Sequence, residues 1–161
     1  AGDETPETRG LDFGNQVHDF AEAYALGDAV SPSNDHERRV AQLIDSCDGE
    51  LHVEEPARLP IEVDGQQVTI SGVVDLVHVT DDRVEIIDYK TDSTRQAEEQ
   101  YRMQVSVYYH VLSAMFDGRE VTAELFYTAD GERVSVSPLS REELQTVIRQ
   151  TERNLDANES M

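Results

Sequence analysis

Gly72-Val73-Val74-Asp75-Leu76-Val77-His78-Val79-Thr80-Asp81-Asp82-Arg83-Val84-Glu85-Ile86-Ile87-Asp88-Tyr89-Lys90-Thr91 sets two apolar, β-branched runs around a polar turn. Residues 73–79 and 84–89 therefore read as neighbouring strands, and Thr80-Asp81-Asp82-Arg83 as the turn between them. With a two-residue loop at Asp81-Asp82, antiparallel pairing sets Asp75 opposite Asp88. Lys90 then falls on the same face two residues on. Opposed carboxylates on a half-buried sheet repel, so the arrangement is costly without a cation. Lys90 offsets one charge, and a divalent metal would complete the balance. Two carboxylates and a nearby backbone carbonyl make a hard-oxygen site suited to Mg²⁺ or Mn²⁺. A lone Asp-x-Lys says little, but carboxylates in runs this apolar seldom persist without a partner.

Lys90 is the single lysine of the 161-residue chain, the other basic residues being arginine. With 34 acidic against 13 basic residues the formal charge is −21 and the pI about 4.3. A domain this acidic repels polyanions as a whole, so any nucleic-acid contact must be local. Excess carboxylate with almost no lysine suits concentrated salt, where the charge is screened and keeps the chain in solution. A halophilic source is the expectation. The single cysteine, Cys47, excludes an internal disulfide and a four-cysteine zinc or iron–sulfur site, and fits a reducing, cytoplasmic setting. No run approaches the ~18 apolar residues of a membrane span.

Working outward, the spacing of Phe13, Val17, Phe20, Ala21 and Tyr24 predicts a helix over residues 13–26. A second is expected over residues 35–46, capped by Ser33 or Asn34. Extended runs at 51–53, 58–63 and 67–71, with Asp64-Gly65 as a turn, join the two central strands in an antiparallel meander. A long amphipathic helix over 96–116 follows, then strands at 121–128 and 133–137. Ser140-Arg141-Glu142-Glu143 reads as a capping box opening a last helix to about residue 155. Residues 1–12 read as a polar linker, 13–156 as one domain and 157–161 as a tail.

Gly72-Val73-Val74-Asp75, then Ile87-Asp88-Tyr89-Lys90-Thr91, then Gln104 and Tyr108 four residues apart, resemble the RecB-like nuclease branch of the PD-(D/E)XK superfamily. An N-terminal helix bearing a histidine, matched by Gly14-Asn15-Gln16-Val17-His18, and a glutamate before the metal strands, matched by Glu54, complete the order. The resemblance spans residues 18–108 and implies an α/β, restriction-endonuclease-like fold with a central mixed sheet flanked by helices. It implies that His18, Asp75, Asp88 and the Tyr89 carbonyl hold Mg²⁺ or Mn²⁺, and that Lys90 acts with Asp75 and Asp88 in catalysis. Gln104, Tyr108 and Glu54 would position substrate.

The activity so implied is metal-dependent hydrolysis of DNA phosphodiester bonds in repair or recombination. The partners would be DNA and a helicase of the UvrD/Rep type, superfamily 1, with this chain as its C-terminal module. Some members of the family carry an iron–sulfur cluster, which a chain with one cysteine cannot hold. The rival is a catalytically silent DNA-end-binding or protein-interaction module on the same fold. A second rival is an unrelated acidic binding protein with an accidental Asp-x-Lys.

Overall fold

The turn at Asp81-Asp82 closes through the Thr80 amide, which donates to the Arg83 carbonyl at 2.8 Å. It fixes the pairs Leu76↔Ile87, Val77↔Ile86, His78↔Glu85 and Val79↔Val84 between strands β4 (Leu76–Val79) and β5 (Arg83–Lys90). This is the register that a two-residue loop demands. The computed structural model describes the backbone of residues 6–53, 56–91 and 98–159, and the side chains of residues 12–53, 56–91 and 101–151.

Before the hairpin come helices α1 (Pro6–Ala25) and α2 (Asp35–Asp45) and strands β1 (Glu50–Val53), β2 (Pro56–Val63) and β3 (Gln66–Val73). After it come α3 (Glu98–Met115), β6 (Glu120–Tyr127), β7 (Glu132–Ser135) and α4 (Arg141–Glu159). Five strands form one sheet in the order β1-β4-β5-β6-β7. All its pairs are antiparallel except β5 and β6, which run parallel because α3 carries the chain back between them.

Strand β5 is buried on both faces and divides the core. On one face Ile87 and Tyr89 pack with Val17 and Ala21 of α1 and Val40, Leu43 and Ile44 of α2. On the other, Val84 and Ile86 pack with Val105, Tyr108 and Leu112 of α3 and Leu144 and Ile148 of α4. Each aliphatic side chain so enclosed contributes about 1.5–3 kcal/mol. Alternation along the strand therefore places Asp88 and Lys90 on the α3 face, beyond Ile86.

Local chemistry explains the element ends. Asn34 caps α2 by accepting from the Glu37 amide at 2.9 Å. At α4 the capping box is reciprocal: the Glu143 amide donates to Ser140 Oγ, and the Ser140 amide to Glu143 Oε1, both at 3.1 Å. Asp64 and Gly65, at φ of 51° and 81°, make the tight turn between β2 and β3.

Four expectations are corrected. Residues 73–79 are not one strand: β3 ends at Val73 and β4 begins at Leu76. The five extended runs are not one meander either, since β2 and β3 form a separate two-stranded sheet and β1 pairs directly with β4. That hairpin packs on α3, which lies between it and the main sheet. Helix α1 starts at Pro6 and not at residue 13, because proline suits a first helical turn whose N–H groups lack partners. Helix α4 runs to Glu159, past the expected end at about residue 155.

Candidate active site

The chain breaks at Val74-Asp75, and Asp75 takes over the hydrogen bonding that a strand would supply. Its Oδ2 accepts from the Tyr89 amide at 2.8 Å, and its own amide donates to Asp88 Oδ1 at 3.1 Å. The two aspartates are thereby locked together at the end of the sheet. The Lys90 carbonyl accepts from the Thr128 amide on the β6 side at 2.9 Å. Because successive carbonyls on a strand point to opposite edges, that of Tyr89 points toward Asp75.

His18 approaches from α1, in the layer on the other face. Its Nδ1 lies 2.7 Å from the Gly14 carbonyl, an acceptor, so Nδ1 carries a proton and donates it. Its Nε2 then faces Asp75 Oδ2 at 3.2 Å. Two lone-pair atoms at that distance need a proton or a metal ion between them, and a backbone-anchored imidazole presents its other nitrogen as a ligand. Gly14 also keeps the helix close, since a Cβ there would sit 3.1 Å from Thr91 Oγ1.

Burial pushes both carboxyls up, and their partners then separate them. For Asp75 the His18 hydrogen bond, with help from Asp88 and the Tyr89 amide, overcomes burial and leaves the group below the usual carboxylate range. Asp88 is 3% exposed, and burial followed by the Asp75 charge holds it well above that range. One proton or a cation resolves the pair. The oxygens of Asp75, Asp88 and Tyr89 and one imidazole nitrogen fit a hard divalent ion. Among the described residues no group of three or more His, Cys, Asp or Glu side chains is arranged to hold a metal ion.

Lys90 is 3% exposed, with Nζ 4.7 Å from the centre of the Tyr101 ring and 5.8 Å from that of Tyr127. Gln104 is exposed and lines a recess with Ile70, Ser71, Met103 and Val107. Its backbone explains Gly72, where a Cβ would lie 3.2 Å from the Gln104 carbonyl oxygen. Tyr108 is buried among Val74, Val77 and Leu112, beside an apolar cavity. Gln104 and Tyr108 thus flank the break from the α3 side. Glu54 lies outside the described residues.

The sequence reading missed the supports. Thr128 is fully buried: its hydroxyl donates to the Lys90 carbonyl at 3.2 Å and accepts from His36 Nδ1 at 2.7 Å, and its carbonyl accepts from Arg39 at 2.9 Å. Helix α2 thus fastens the end of β5. Glu37, 2% exposed, accepts from Ser33, Asn34 and Gln16, tying α2 to α1 two residues from His18. A glutamate three residues after an N-cap asparagine was the available signal.

The sequence model of a family described as the PD-(D/E)XK nuclease superfamily matches residues 31–160. Anoxybacillus flavithermus (strain DSM 21510 / WK1) has an ATP-dependent helicase/nuclease subunit that is 33% identical over 88 residues, 50% of this chain. The match covers 7% of that relative's length. The crystal structure of SSO0001 aligns at a TM-score of 0.48 and 12% identity, over 89% of this chain and 86% of that one. Among the described residues no helix is long and apolar enough to cross a membrane.

Proposed function

The chain belongs to the PD-(D/E)XK nuclease superfamily, and we propose that it is a Mg²⁺- or Mn²⁺-dependent deoxyribonuclease that hydrolyses phosphodiester bonds. The observation that carries this reading is the Asp75–Asp88 pair at the strand break, with its opposed protonation tendencies and Lys90 two residues on. When bound, the ion supplies Lewis acidity and charge neutralisation. Asp75 and Asp88 would present oxygens to it, and the Gly14 carbonyl keeps the His18 ring turned with Nε2 toward Asp75. Lys90 sets a fixed positive charge where charge develops on the scissile phosphoryl group, with no reorganisation as the reaction proceeds.

Two finer readings belong with this one. The relative's name joins helicase and nuclease, which supports a place for this chain as the nuclease module, C-terminal in position, of a helicase–nuclease acting in repair or recombination. The bulk charge of −21 supports delivery of DNA by such a motor, and working conditions of high salt.

The test is cleavage of end-labelled DNA in molar KCl, with Mg²⁺ or with EDTA, by the wild type and Lys90→Ala. Cleavage should need the metal and fall by roughly 10²-fold or more in the variant, as when a preorganised electrostatic group is removed. Mn²⁺ affinity should barely change, since the lysine ligates nothing. DNA binding without metal-dependent cleavage would favour the silent module instead.

A further inference from the structure

We propose that Tyr101 and Tyr127 are positioning residues that seat the Lys90 ammonium between two aromatic rings; what it is seated for rests on the nuclease reading. The two rings come from different elements. Tyr127, 2% exposed, is the parallel-sheet partner of Lys90 on β6, and Tyr101 stands on the first turns of α3. Both centroids lie within the ~6 Å at which a ring face attracts a cation.

The chemistry of the seat matters more than its strength. Lysine is a strongly hydrated point charge on a flexible four-carbon stem. Burial at 3% exposure strips its water and fixes the stem. Ring faces attract a cation through their quadrupoles and carry no net charge, so these two contacts hold the ammonium without themselves cancelling its field toward a phosphoryl group. The charge of Asp88, two residues back on the same strand, interacts with it as well. Parallel pairing through α3 is what brings Tyr127 alongside, since a helical crossover sets the two strands in one sheet without a short turn to fix them.

The chain's single lysine gives the idea a direct readout. Protein grown on ¹³C-lysine shows one Hε–Cε crosspeak in this chain, and protons over ring faces resonate upfield of free lysine. We expect an upfield crosspeak in the wild type. It should move toward the free-lysine position in Tyr101→Leu and Tyr127→Leu, and return most of the way in the two phenylalanine variants. In DNA cleavage the leucine variants should lower kcat roughly five- to tenfold with KM little changed, the loss matching one weakened cation–ring contact, and phenylalanine should restore it. A wild-type crosspeak at the free-lysine position, or leucine variants that move neither crosspeak nor kcat, would overturn the seat. An upfield crosspeak in a wild type that cuts no DNA would remove the nuclease reading and leave the seat supported. Where Tyr127→Leu fails to fold, the more exposed Tyr101→Leu and Tyr101→Phe carry both measurements.

Discussion

The Asp75 amide donates to Asp88 Oδ1 while Asp75 Oδ2 accepts from the amide of Tyr89, so each aspartate is held by a backbone amide from the other's segment. Backbone bonds of this kind align two carboxylates that would otherwise turn apart. The pair sits where β3 has ended in one sheet at Val73 and β4 begins in the other only at Leu76, which leaves Asp75 between the two.

Asp88→Asn keeps an acceptor for the Asp75 amide and removes one of two charges from a site that burial and Asp75 make costly to ionise. Its metal-free melting temperature should rise by roughly 2–4 °C, the shift that about 1 kcal/mol gives in a chain of this size. The further rise that Mg²⁺ gives the wild type should vanish, since stabilisation by a ligand needs its site. Melts in EDTA and in excess Mg²⁺ decide it. A variant that still gains the full wild-type shift would place the ion elsewhere.

His18→Ala should weaken Mn²⁺ binding by roughly tenfold or more, given that even the groups orienting a ligand are worth that much. The helix should survive, because alanine is the better helix former. Proton and metal compete for Nε2, so wild-type affinity should weaken as pH falls, and the variant's should weaken less. Calorimetric titration at two pH values compares them. Identical pH dependence in both proteins would make His18 a structural residue.

What the sequence disclosed about this site is what local rules govern. A two-residue loop fixes a register, so the opposition of residues 75 and 88 was legible, as were the Asp64-Gly65 turn and the Ser140 capping box. The break at Val74-Asp75 was not, because Val73, Val74, Leu76 and Val77 are as β-prone as any strand and the interruption comes from a side chain replacing backbone. Nor was Tyr127 beside Lys90: a parallel pair joined through a helix has no turn to set its register. Glu37 and Thr128 look like surface residues in a string. They are buried because each meets donors or acceptors from distant elements, Gln16 for one and His36 and Arg39 for the other. Gly72 matched a motif, yet its physical reason, the Gln104 carbonyl passing close by, appears only once α3 is packed.

The acidic surface should make salt stabilising. At −21 the folded chain repels itself in dilute buffer, and molar KCl shortens the screening length to about 3 Å. Melting temperature should therefore climb between 0.1 and roughly 2 M KCl. A monotonic fall would count against the high-salt reading, and the same titration with NaCl separates screening from a specific potassium effect.

His36 should make the fold acid-sensitive through the tether at the end of β5. Its Nδ1–H donates to Thr128 Oγ1, its ring meets that of Phe13 edge to face at 4.8 Å between centroids, and its charged neighbours are Arg39 and Asp35. Burial first, and then the Arg39 charge, lower its pKa against an opposing pull from Asp35. The folded state thus favours neutral imidazole. The sign follows: this group's stabilisation is complete above the unfolded value near ~6.5 and is lost as pH falls through the lower folded value, at up to about 1.4 kcal/mol per pH unit. The many carboxylates of the chain titrate in nearby ranges, so the readout is a difference. Urea unfolding of wild type and His36→Gln at steps from pH 7.5 to 5 should show the wild type losing more stability, the gap opening below about pH 6.5. Thr128→Val, which keeps shape and drops the hydroxyl, should destabilise by about 1 kcal/mol at neutral pH because it leaves the half-buried imidazole N–H without its acceptor. Parallel pH curves for wild type and His36→Gln would show that the imidazole is equally at ease charged in the fold, and would break the link between α2 and acid sensitivity.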